Sequence, residues 1–298
     1  MYDEVLELLA VPEGQADAAQ QHKLQEVWLG KARACQLLGR TEDAEAAFKA
    51  SLDEGEEEGV SGPGEAWRRR GAMEAHAALA SIALSGGRTH EAVLRYTEAV
   101  ETAQQELVAV GEEGAEGLGF TLRTLRCHRA AALLAAADYA GALEDCDHVL
   151  GEQVCGSTLA SGGLFSFGLP RSPLLLAQAC SLSARGSDRA AAEQVAANAD
   201  ALLLAFLTRG QCRAALNEWE AAATDFTSYL DATRQADAEG SLDGSAEAAA
   251  RRRQRAEVFL KRSQALLGMA LALGEPSDGN RKQLQGLYTS ALCASATI

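Results

Sequence analysis

The residues able to do chemistry are few and scattered. Five histidines (His22, His76, His90, His128, His148) and seven cysteines (Cys35, Cys127, Cys146, Cys155, Cys180, Cys212, Cys293) supply the candidate metal ligands and thiol nucleophiles. A zinc site is expected to show local spacings such as CxxC or HExxH, and neither occurs. Cys146 and His148 stand close together, but residues two apart on a helix face different ways, so an interior Cys beside an exposed His is expected. The Gly-rich run from Gly162-Gly163 to Gly168 could cradle a phosphate only after a strand and before Lys-Ser/Thr. It has neither and reads as a connector. The many Asp and Glu pairs read as solvated helix faces. No catalytic residue, metal or cofactor is therefore expected.

Two basic clusters oppose the overall charge: Arg68-Arg69-Arg70 and Arg251-Arg252-Arg253-Gln254-Arg255. Each is expected to begin a solvated turn and pair with nearby acidic connectors, at little energetic gain. The functional alternative is a docking patch whose arginine forks read an acidic partner.

The elements that must position these groups are helical. Of 298 residues, 47% are hydrophobic but only 5% aromatic, so the apolar content is mostly small Ala and Leu. Alanine is the best helix former because it loses no side-chain entropy, and Val, Ile and Thr are too sparse for a sheet core. A net charge of −15 disfavours nucleic acid, which must be met by a basic surface. No apolar run reaches the ~18 residues that would span a bilayer. The start, Met1-Tyr2-Asp3-Glu4, carries no basic n-region of a leader. An odd number of cysteines without CxxC fits buried thiols in a reducing compartment, so a cytoplasmic location is expected.

One frame recurs along the chain. A helix with small residues on one face is followed by a turn and a second helix. That second helix carries Ala, an aromatic four residues on, and a small or apolar residue three after that. The copies are Trp28, Ala32, Cys35, Gly39, Ala44, Phe48, Ser51; then His76, Ala80, Ala83, Gly87, Ala92, Tyr96, Ala99; then Arg126, Ala130, Leu133, Ala137, Ala142, Cys146, Val149; then Phe206, Gly210, Arg213, Asn217, Ala222, Phe226, Tyr229. A fifth copy has Phe259, Ser263, Leu266 and Ala270, followed after a longer turn by Tyr288 and Ala291. Spacings of three and four hold residues on one helical face. Small residues allow close approach, and the aromatic fills the gap to the next hairpin. One hairpin cannot bury its apolar face, so hairpins must stack.

This frame resembles the tetratricopeptide repeat. The clearest segments are His128-Arg129-Ala130 with Asp138-Tyr139-Ala140-Gly141-Ala142-Leu143-Glu144-Asp145-Cys146, and Arg209-Gly210 with Glu218-Trp219-Glu220 to Asp225-Phe226. The resemblance implies an all-α fold: a right-handed superhelix (α-solenoid) of stacked antiparallel hairpins forming one domain over residues 1–298. Hairpins are expected at about 20–53, 68–108, 121–152, 172–198, 200–233 and 246–295. The key alanines at 44, 92, 142 and 222 place the first two steps near 50 residues, against ~34 in the family. The surplus is expected in connectors at Asp53–Glu65, Gly111–Gly119 and Asp237–Ser245. The longest step is expected to hold a loop, 156–173, and a degenerate hairpin pairing Leu174–Ser183 with Asp188–Asn198. A capping helix is expected at Tyr2–Leu9.

The resemblance also implies where a partner binds. In the family, the first helix of each hairpin lines the concave face, and some co-chaperones clamp a carboxylate there with Lys, Arg and Asn. The matching positions here carry no Asn, and their basic residues Arg33 and Lys261 lie in distant repeats, so that clamp is absent. The face is instead apolar, formed by Cys127, Ala131, Leu134, Leu204, Leu207, Gln211, Ala214, Leu260, Gln264 and Leu267. It suits the apolar stripe of a partner helix or peptide, or else is interior packing between hairpins. The expected function is a non-catalytic protein-interaction scaffold or adaptor within a larger assembly. A co-chaperone adaptor and an all-helical transferase are the alternatives.

Overall fold

A computed structural model describes residues 18–53, 63–110, 115–160, 189–239, 246–274 and 280–296. Among the described residues the chain is all-α, with ten helices: α1 (Ala18–Leu37), α2 (Thr41–Asp53), α3 (Pro63–Ser85), α4 (Thr89–Val110), α5 (Ala115–Ala135), α6 (Tyr139–Ala160), α7 (Arg189–Ala215), α8 (Trp219–Glu239), α9 (Ala246–Ala272) and α10 (Arg281–Ala296). Sequence neighbours pack as antiparallel pairs: α1 with α2, α3 with α4, α7 with α8 and α9 with α10.

The turns follow from backbone chemistry. Gly39 and Gly87 take φ of 71° and 75°, the left-handed conformation that glycine adopts without a Cβ penalty. In each turn two amides reach back to the orphan carbonyls of the ending helix. Gly39 N–H donates to Gln36 and Arg40 N–H to Cys35, and Gly87 and Arg88 do the same to Leu84 and Ala83. Asn217 (φ 63°) repeats the motif, with Glu218 N–H donating to the Arg213 carbonyl at 2.8 Å. The next helix begins at once, since the key alanines Ala44, Ala92, Ala142 and Ala222 make its opening bonds to Arg40, Arg88, Asp138 and Glu218. Asp138 also accepts from the Gly141 N–H at 3.1 Å, an N-cap.

The chain divides into two compact units, Met1–Ala136 and Ala137–Ile298. The sequence reading takes residues 1–298 as one domain; the division falls in the turn of the hairpin read at 121–152. In the first unit, Leu29, Ala32, Phe48, Leu79 and Ile82 join α1, α2 and α3. Tyr96 packs with Ala80, Ala83 and Ala132, and Val100 meets Leu122 and Leu125 of α5. In the second unit, Phe206, Phe226, Tyr229, Val258 and Leu266 form the core. All four key alanines are fully buried. The small position of the frame has a visible cause: a Cβ on Gly210 would lie 2.7 Å from the Phe226 ring.

Several expected boundaries move. α7 runs unbroken through 198–200, so 189–198 extends that helix where the sequence suggested the second arm of a degenerate hairpin. Nothing between Asn198 and Phe206 is a helix breaker. Helix α6 continues to Ala160, into the expected loop 156–173. Gly119 lies inside α5, and Asp237–Glu239 inside α8, so those connectors are shorter than expected. In the fifth copy Ala270 is buried within α9, and the left-handed turn residue is Gly274 (φ 73°). The expected cap Tyr2–Leu9, and 161–188 with the rest of the loop and degenerate hairpin, lie outside the described residues.

Candidate interaction surfaces

The residues expected to line a groove separate by exposure. On α5, Cys127 is fully buried and Ala131 and Leu134 are half-buried. Cys127 is therefore interior and offers no surface to a partner. On α7, Leu204, Leu207, Gln211 and Ala214 are half-buried, with Leu207 and Ala214 packed against the core of the second unit. On α9 the outcome differs. Leu260 is 47% exposed, Leu267 40% and Leu271, one step further on the same face, 76%. With exposed Gln264 between them, they recur at spacings of four, three and four, one stripe of a helix.

The first basic cluster is not a solvated turn. Arg68, Arg69 and Arg70 lie inside α3. Arg69 bonds Glu65 on its own helix and, through Nε at 2.6 Å, the carboxylate of Glu106 on α4. Glu106 is 1% exposed, and Arg70 lies 3.5 Å from its other oxygen. Arg69 thus pairs with Glu65, the last residue of the expected acidic connector, and together with Arg70 also meets a buried acid from the neighbouring helix that the sequence reading did not foresee. The second cluster lies in α9, where Arg255 is half-buried; the side chains of 251–253 are outside the described residues.

A second buried acid escaped the sequence reading. Asp225 on α8 accepts from Arg209 Nη2 at 2.7 Å and from Arg213 Nη1 at 2.8 Å, both on α7. Arg209 also donates to Asp147 of α6 at 2.8 Å. Burial opposes the Arg209 charge, but the bonds to Asp225 and Asp147 outweigh it and its pKa rises. The signal available was Arg209 and Arg213 one helical turn apart, before an Asp beside the frame aromatic Phe226.

A polar cleft was also missed. It encloses about 360 Å³ and is walled by α2 (Lys49, Leu52, Asp53), α3 (His76) and α4 (Arg95, Glu98, Glu101, Thr102, Gln105). His76 Nδ1 lies 2.9 Å from Glu98, and Arg95 Nη1 donates to Glu98 at 3.1 Å. The clue was a histidine at a frame position where an aromatic is usual. Nearby, Arg88 and Lys49 both bond Glu45, and these bonds hold its pKa down to about 2. Arg33, one of the two basic residues on the expected ligand face, is engaged as a fork by Glu74.

Reactive chemistry is sparse. Cys146 is buried and His148 exposed. Burial pushes the Cys212 thiol up to about 11, far from the thiolate that a nucleophile requires. Among the described residues no group of three His, Cys, Asp or Glu side chains is placed to hold a metal ion.

No protein-family model matches the chain, and no curated protein matches it. Among solved structures it is similar to one described as "Crystal structure of MamA protein", at 10% identity over 92% of this chain and 93% of that one, with a TM-score of 0.44.

Proposed function

We propose that this chain is a non-catalytic scaffold that binds a partner protein as part of a larger assembly. The observation that carries the reading is the exposed stripe of Leu260, Gln264, Leu267 and Leu271 on α9. Exposed leucines scattered singly are ordinary on a soluble surface, but an aligned row marks an interaction face. A row at helical spacing fits the apolar side of a partner helix. The α7–α8 hairpin, whose second helix packs against α9, is held by the buried Asp225 ion pairs and the short Asn217 turn, a pre-ordered support that lowers the ordering cost of binding. The engaged Arg33 counts against a co-chaperone carboxylate receptor. Among the described residues no helix is long and apolar enough to cross a membrane. Four free, buried cysteines, Cys35, Cys127, Cys146 and Cys212, support a reducing compartment such as cytoplasm.

The test is affinity purification with the wild type and the Leu260→Asp/Leu267→Asp variant, read by mass spectrometry. Both side chains are exposed, so the variant keeps its core, whereas Leu207→Glu would strike packing. Proteins recovered by the wild type and lost by the variant support the reading; unchanged recovery contradicts it.

A further inference from the structure

We propose that the cleft between α2, α3 and α4 docks a basic side chain of a partner peptide, as a second surface independent of the α9 stripe. The sign of the ligand follows from which groups are already engaged. Lys49 Nζ lies 2.8 Å from Glu45, and Arg95 and His76 both meet Glu98. An incoming anion would have to displace those carboxylates. Asp53 and Glu101 also line the cleft, from α2 and α4; both are exposed and meet no cation among the described residues. Leu52, half-buried in the wall, offers an apolar surface for the methylene stem of Lys or Arg. Thr102 is turned to the Glu98 carbonyl at 2.7 Å, which leaves Gln105 as the side-chain amide available to a peptide backbone. The overall charge of −15 steers a basic segment towards the chain and raises its rate of encounter.

The test is fluorescence anisotropy with a fluorescein-labelled octapeptide of alternating Ala and Arg, and its Ala-Glu counterpart. The proteins are wild type, Asp53→Lys/Glu101→Lys, and Glu144→Lys/Asp231→Lys as a control of equal charge change at exposed residues of the second unit. All four substituted side chains are exposed, and far-UV circular dichroism checks that each variant is folded. The proposal predicts that the Arg peptide binds the wild type, the Glu peptide does not, and the cleft variant weakens binding about tenfold. The control should weaken it less than about twofold, the share due to long-range screening-sensitive attraction. Equal losses in both variants overturn the proposal, as does a wild type that fails to bind the Arg peptide.

Discussion

Asp225, 1% exposed, receives both Nε and Nη2 of Arg209, at 3.1 and 2.7 Å. The pair ties α8 to α7, and the same guanidinium reaches α6 through Asp147. A buried carboxylate is tolerable only while its charge is met. Arg209→Met is therefore predicted to destabilise the second unit by about 3 kcal/mol, because it strands part of that charge. Arg209→Met/Asp225→Leu should lose less than Asp225→Leu and Arg209→Met summed, and urea unfolding of the four proteins measures it.

Two glycines in the second unit should respond oppositely to alanine. A Cβ on Gly210 meets the Phe226 ring at 2.7 Å, whereas one on Gly286 in α10 meets nothing within 4 Å. Gly210→Ala should cost about 1–3 kcal/mol by overpacking, and Gly286→Ala should gain up to about 1 kcal/mol of helix propensity. Thermal melts of the two variants decide the matter.

Ala137 stands at φ 62° in a turn where Gly39 and Gly87 take the same conformation. Its Cβ costs about 1–2 kcal/mol there. Ala137→Gly should recover part of that, on the order of 0.5 kcal/mol after the added freedom of the unfolded chain is subtracted. A rise in the urea midpoint checks it.

The first unit should lose stability in acid through Glu45. Its side-chain bonds to Arg88 and Lys49 lower its pKa from 4.5 to about 2. A depressed carboxylate contributes stability above its unfolded pKa, and that contribution is lost as pH falls from about 4.5 through about 2. Since the pairs sit partly in solvent, the loss should be about 1 kcal/mol, smaller than the full shift implies. Melts of wild type and Glu45→Gln between those pH values should converge as the pH drops.

Some of this was legible in the sequence for a local reason. Ala44, Ala92, Ala142 and Ala222, with Phe48, Tyr96 and Phe226, are set by spacings within one or two helical turns, and all are buried. Glu106 and Asp225 were not legible, because an acid becomes buried through helix rotation and a partner on another helix. The turn in the fifth copy was misplaced because Ala270 fits the frame yet has no tendency to stop a helix; Gly274, followed by Glu275-Pro276, was the stronger stop signal. The continuous α7 was misread for the converse reason: Ala191 and Val195 mimic the frame, but no breaker follows them. On the candidate surface, Leu260 and Cys127 occupy equivalent frame positions; only packing separates the exposed one from the buried one.

The most direct measurement of the scaffold reading is site-specific photo-cross-linking in cell extract. A benzoylphenylalanine at position 267, on the α9 stripe, is compared with one at exposed Asp231 of α8. The account predicts a discrete adduct with one partner chain from position 267, absent from position 231 and competed away by unlabelled protein. No adduct from 267, or the same diffuse adducts from both positions, would contradict it.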